Sequence, residues 1–129
     1  MAIVTLTEDN FEQVVTGGGI VLVDCWAAWC GACKDFAPVY ERVAEANPEH
    51  TFGAYDTQKN KAYTSELGID HIPTLLLFRD GLLLFKQPGY YEEKALEDII
   101  KQAESLDMDE VRAAIAADSR AKSPESKEE

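Results

Sequence analysis

Three cysteines, Cys25, Cys30 and Cys33, are the groups in this 129-residue chain best suited to chemistry. Cys30-Gly31-Ala32-Cys33 places two thiols about one helical turn apart, a spacing at which a disulfide can close and reopen. The pair follows an apolar run and precedes a helical pattern, so Cys30 falls where a strand gives way to a helix. Unpaired amides and the helix dipole at such a terminus favour the thiolate, the form that attacks disulfides. Cys30 is then the attacking sulfur and Cys33, deeper in the helix, the resolving one. The C-x4-C-x2-C spacing superficially matches an iron–sulfur loop, but that cluster needs a fourth cysteine and the chain has three. A zinc site would have to recruit His50 or His71 from far along the chain, so neither a metal nor another cofactor is expected. Cys25 reads as a small buried hydrophobe, on the opposite side of its strand from Asp24.

The elements that position this pair follow from hydrophobic periodicity. Ile3 to Leu6 predicts a short strand, and Thr7 the N-cap of a helix reaching about Val15. Gly17-Gly18-Gly19 ends that helix. Ile20 to Trp26 is nearly all apolar, as in a strand covered on both faces. Phe36, Ala37, Tyr40, Val43 and Ala44 recur at helical spacing and predict a helix from about Gly31 or Ala32 to Ala46, with a kink at Pro38. Thr51 to Asp56 predicts a third strand, and Lys59 to Leu67 a helix stopped by Gly68. Thr74 to Phe78 and Leu82 to Lys86 read as a hairpin through Asp80-Gly81, and Glu92 to Ala103 as a closing helix. The order βαβαββα implies an α/β fold, a mixed sheet with helices on both sides. Asp107, with Glu110 three residues on and Leu106 and Val111 as a staple, predicts a further helix from Met108 to about Ala117. We therefore expect a body over residues 1–105, a short C-terminal helix within 106–118 and a disordered acidic tail over 119–129.

Charge narrows the function classes. Twelve basic against twenty-four acidic residues give a formal charge of −12, which repels phosphate backbones and anionic bilayers. Nucleic-acid and membrane partners are not expected. No apolar run approaches the length of a transmembrane helix, and the first residues lack the basic start and apolar stretch of a secretory signal. A cytoplasmic location is the expectation.

Trp26-Ala27-Ala28-Trp29-Cys30-Gly31-Ala32-Cys33-Lys34, with Asp24 before it and Ile72-Pro73-Thr74 after it, resembles the thioredoxin family over roughly residues 3–104. The resemblance implies a thioredoxin fold and a protein-disulfide reductase working through Cys30 and Cys33. It implies that Asp24 is a buried carboxylate relaying a proton to or from Cys33, and that Pro73 is cis and packs over the disulfide. It further implies that the Ile72 backbone pairs with substrate, and that Trp29, Gly31, Ala32, Ile72, Pro73 and Gly89 form an apolar docking patch around Cys30. Protein disulfides would be the substrates, a thioredoxin reductase the electron source and a monomer the working form. Elementary physics agrees at Asp24, because an acid inside an apolar strand loses hydration and its pKa rises. Trp26 reads as core rather than patch.

Three departures from the family pattern stand out. The spacer is Gly-Ala where thioredoxins typically carry Gly-Pro, and alanine restores an amide near the sulfurs. The strand Phe52-Gly53-Ala54-Tyr55-Asp56 lacks the lysine that many members place beside the buried acid, which makes Asp24 harder to ionise. His71 precedes Ile72 and is either an exposed loop residue, the reading we favour, or a group facing Cys30 that favours its thiolate. Two other classes use the same fold, a disulfide oxidase or isomerase and a docking or chaperone module. The acidic body and the absence of His or Lys in the spacer argue against a strong oxidant.

Overall fold

The computed structural model describes residues 2–117. Its strands are β1 (Ile3–Leu6), β2 (Ile20–Trp26), β3 (Thr51–Asp56), β4 (Thr74–Arg79) and β5 (Leu82–Pro88). Its helices are α1 (Phe11–Val15), α2 (Gly31–Ala46), α3 (Lys61–Glu66) and α4 (Glu93–Glu104), followed by a fifth, α5, over residues 108–117. The sheet order is β1-β3-β2-β4-β5, with β1, β3 and β2 parallel and β2, β4 and β5 antiparallel.

β2 lies in the middle of the sheet, and its apolar residues serve two cores by strict alternation. Ile20 and Leu22 face α2 and α4, where they meet Phe36, Tyr40, Leu96 and Ile100. Val21, Val23 and Cys25 face the other side, with Phe11 and Val15 of α1 and Tyr55 of β3. Asp24 shares its side of the strand with Ile20 and Leu22, so the fold carries it beneath α2. On that side the Tyr40 hydroxyl donates to the Gly53 carbonyl at 2.7 Å, tying α2 to β3.

Local polar chemistry shortens two helices relative to their periodic patterns. Asn10, not Thr7, precedes α1. Its carboxamide oxygen accepts from the Thr7 amide at 2.7 Å, and the Thr7 hydroxyl accepts from the Asp9 amide at 3.2 Å, so these residues form a turn. Before α3, the Asp56 carboxylate accepts from the amides of Gln58 and Lys59 at 2.9 and 3.2 Å, which delays the helix to Lys61. α2 runs as one helix through Pro38. The β4–β5 turn places Asp80 and Gly81 at φ 54° and 84°, the left-handed pair that a tight hairpin needs.

The C-terminal segment is tied to the body at both ends of its connection. The Arg79 guanidinium donates to the carbonyls of Ala103, Glu104 and Leu106 at 2.7, 3.3 and 3.1 Å, satisfying acceptors that the end of α4 leaves open. Asp107 Oδ1 accepts from the amides of Asp109 and Glu110 at 3.0 and 3.3 Å and so starts α5. Arg112 then reaches Asp80 at 3.3 Å, and Met108 is buried. The expected tail over 119–129 lies outside the described residues. None of the described helices is long and apolar enough to cross a membrane.

Met108 is the apolar anchor of α5, so Met108→Ala should lower stability by about 2 kcal/mol, as measured by urea unfolding of the full chain. An unchanged midpoint would mean that α5 adds nothing to the body.

Candidate active site

β2 delivers the site to the edge of the core. The Thr57 amide and hydroxyl both donate to the Trp26 carbonyl, at 2.9 and 3.0 Å, closing the strand there. Ala27 is fully buried, its carbonyl accepts from the Cys30 amide at 3.2 Å, and Cys30 becomes the N-cap of the 16-residue α2. Cys30 keeps extended backbone angles while its sulfur accepts from the Cys33 amide at 3.1 Å. The Cys33 amide and the dipole of α2 thus act on Cys30, which favours negative charge on that sulfur when the pair is reduced. In the structure Cys30 and Cys33 form a disulfide with Cα atoms 5.2 Å apart. Both cysteines are largely buried, at 6% and 3% exposure, in a small cluster with Ala27 against which Trp26 and Ile72 pack.

The loop before β4 closes over this cluster. The Ile72–Pro73 bond is cis and Pro73 is buried. The Thr74 hydroxyl donates to the His71 carbonyl, and the Gly89 amide donates to the Pro73 carbonyl at 2.8 Å. Gly89 has φ 121°, a conformation that side chains beyond glycine rarely adopt. Trp29 is 69% exposed, and Gly31 and Ala32 are exposed beside it. Ile72 and Gly89 are half-buried.

Asp24 lies under the pair. It is 4% exposed, and among the described residues its Oδ1 has no hydrogen-bond partner. Burial alone pushes its pKa up from 3.8 to about 7, within reach of a thiol proton at neutral pH. Its neighbours across the ladders are Ala54 of β3 and Leu75 of β4, neither of which brings charge. Asp24 and Cys33 line one cavity of about 410 Å3, bounded also by Trp26, Tyr40 and Ala54, with Lys34 and Glu41 among its walls.

The remaining candidates sit elsewhere. Cys25 is a fully buried free cysteine, its thiol pushed up by burial and then by the charge of Asp24, and it faces the α1 side. The His71 side chain is 73% exposed, with Nδ1 2.8 Å from Asp70 Oδ1. That contact is the first cause holding the Asp70 carboxyl below its ordinary value. His50 Nε2 lies 2.7 Å from Glu104 Oε2.

A family model for thioredoxin matches residues 2–102. The chain belongs to the thioredoxin family. A Streptomyces coelicolor homologue whose name places it among the thioredoxins is 52% identical over 113 residues, covering 88% of this chain and 84% of its own length. The thioredoxin of Alicyclobacillus acidocaldarius is 44% identical over 97 residues, covering 74% of this chain and 92% of its own. A solved thioredoxin variant from Halobacterium salinarum superposes with a TM-score of 0.75 at 31% identity, over 81% of this chain and 93% of that one. The family and the Cys30–Cys33 pair together make this chain a disulfide-reducing thiol–disulfide oxidoreductase.

Trp26, expected in the core, is half-buried, packed on the disulfide cluster and in the wall of the Asp24 cavity. Two further residues support the site in ways their sequence context does not announce. Thr74 is the first residue of β4, and its hydroxyl also braces the loop that carries Ile72 and Pro73. Tyr40 is a core residue that also lines the Asp24 cavity, its position seven residues after Cys33 putting it on the same helix face, two turns along.

The raised pKa of Asp24 makes a stability statement. Between pH 3.8 and about 7 the unfolded chain has released a proton that the fold retains, so this group lowers stability as pH rises through that window, with no further change above it. Asp24→Asn removes the effect. Its stability advantage in urea should widen from about pH 5 to about pH 8, reaching on the order of 4 kcal/mol at most. An advantage that does not change with pH would contradict the burial of an ionising carboxylate.

Proposed function

We propose that this thioredoxin-family chain reduces disulfides of other proteins in the cytoplasm, acting as a monomer re-reduced by a thioredoxin reductase. The observation that carries the reading is the juxtaposition of a helix-capping Cys30, a deeper Cys33 and a buried Asp24 beside one cavity. The Cys30 thiolate attacks one sulfur of a substrate disulfide. A new bond forms between Cys30 and that sulfur, the substrate bond breaks, and the other substrate sulfur leaves as a thiolate. Asp24 takes the proton of Cys33, whose thiolate attacks the Cys30 sulfur and expels the second substrate thiolate. Two electrons have then passed to the substrate, and the chain is left with the Cys30–Cys33 disulfide. No bound cofactor is required for this exchange, because the sulfurs carry both electrons.

Trp29, Gly31, Ala32, Ile72, Pro73 and Gly89 supply the surface on which substrate docks. Pro73 is buried beside the pair, the exposed or half-buried atoms of the others surround its mouth, and the backbone of Ile72 pairs with the incoming chain. Asp24 accepts the proton without help from a neighbouring cation, since burial has already moved its pKa to about 7.

Two measurements test these roles. Cys33→Ser should accumulate mixed disulfides on Cys30 when mixed with a disulfide-bonded protein such as insulin, while Cys30→Ser should accumulate none. Mass spectrometry that located the conjugate on Cys25 would reverse the assignment. Asp24→Asn should slow insulin reduction by roughly tenfold to a hundredfold near neutral pH, with a flattened pH profile between about 6 and 9. Turnover equal to the parent across that range would leave Asp24 a structural residue.

A further inference from the structure

The cavity beneath α2 combines two features that a proton relay does not need together. The first is size: about 410 Å3 lies within the range of small-molecule sites and far exceeds the space of one water. The second is a buried carboxylate with an oxygen that has no partner among the described residues. Ile3, Trp26, Ala37 and Ala54 make its walls largely apolar. Lys34 and Glu41 are the other charged residues lining it, both exposed and opposite in sign, so once Asp24 ionises, above about pH 7, the uncompensated charge is its own. The Tyr40 hydroxyl, also in the wall, is already committed to the Gly53 carbonyl.

A hard metal ion would require several oxygen ligands, and Asp24 offers one carboxylate in an apolar setting. An anion would meet a like charge. An ammonium group makes short, charge-assisted hydrogen bonds to a carboxylate, and these strengthen where water is excluded. We infer that this cavity binds a small primary ammonium ion carried on a compact apolar body, the ammonium donating to Asp24 while the body lies against Trp26, Ala37 and Ala54. Ala54 sets the room: it stands directly across the β2–β3 ladder from Asp24, and a longer side chain there would fill the space that the apolar body takes. The inference is independent of the relay assigned to Asp24, because it concerns binding and not turnover.

The test is a nuclear magnetic resonance titration of the oxidised full chain with benzylammonium, set against benzyl alcohol and benzoate as bodies of the same shape. Saturable millimolar binding is expected for benzylammonium, with amide shifts centred on Asp24, Ala37 and Ala54. Affinity should fall at least tenfold for both control compounds and for Asp24→Asn. Ala54→Leu keeps the carboxylate and fills the cavity, and it should also lose at least tenfold, which separates occupancy from charge. Shifts that fail to saturate, shifts centred instead on Trp29 and Ile72, equal binding of benzyl alcohol, or undiminished binding in either variant would each overturn the assignment.

Discussion

The pairing of β2 on both edges is the constraint on which the site depends. With β3 parallel on one side and β4 antiparallel on the other, the backbone of Ile20–Trp26 has little freedom to shift register. A slip by one residue would turn Asp24 into the α1-side core and bring Cys25 beneath α2. The alternation held by those two ladders therefore decides which of two adjacent side chains, an acid or a thiol, lies under the disulfide. The same ladders place Thr74 opposite Cys25, which brings the Ile72–Pro73 loop to the end of β2 where the cysteines are.

Opposite electrostatic environments are then imposed on groups only six residues apart along the chain. Cys30 caps a long helix and receives the Cys33 amide and the helix dipole, so its charged form is favoured. Asp24 receives neither an amide nor a cation in the described structure, and burial favours its neutral form. One environment prepares a nucleophile and the other a proton acceptor close to the working pH. Cys25, although it is next to Asp24, gains reactivity from neither: it is fully buried on the far face, and its thiol is held protonated.

The elements beyond this centre brace it from a distance. Arg79 links β4 to the carbonyl end of α4, and Asp80 is shared by the Gly19 amide before β2 and by Arg112 of α5. These contacts bind the hairpin, the start of the central strand and the C-terminal helix into one corner, opposite the end of β2 that carries the cysteines.

The cysteine chemistry and most elements were legible in the sequence because their signals are local. Cys30 and Cys33 sit within one helical turn, β2 is an unbroken apolar run, and Asp80-Gly81 announces its hairpin by turn chemistry. The starts of α1 and α3 were less legible, since Asn10 and Asp56 compete for backbone amides through side-chain bonds that periodicity does not report. What only the tertiary structure decided concerns residues remote in sequence. Trp26 lies between core and cavity, and Tyr40 and Ala54 shape the space around Asp24. Residue types and spacing determine which groups are able to react. Desolvation and the absence of a partner depend on what packs around a group from other elements, and that is settled only when the sheet and helices close.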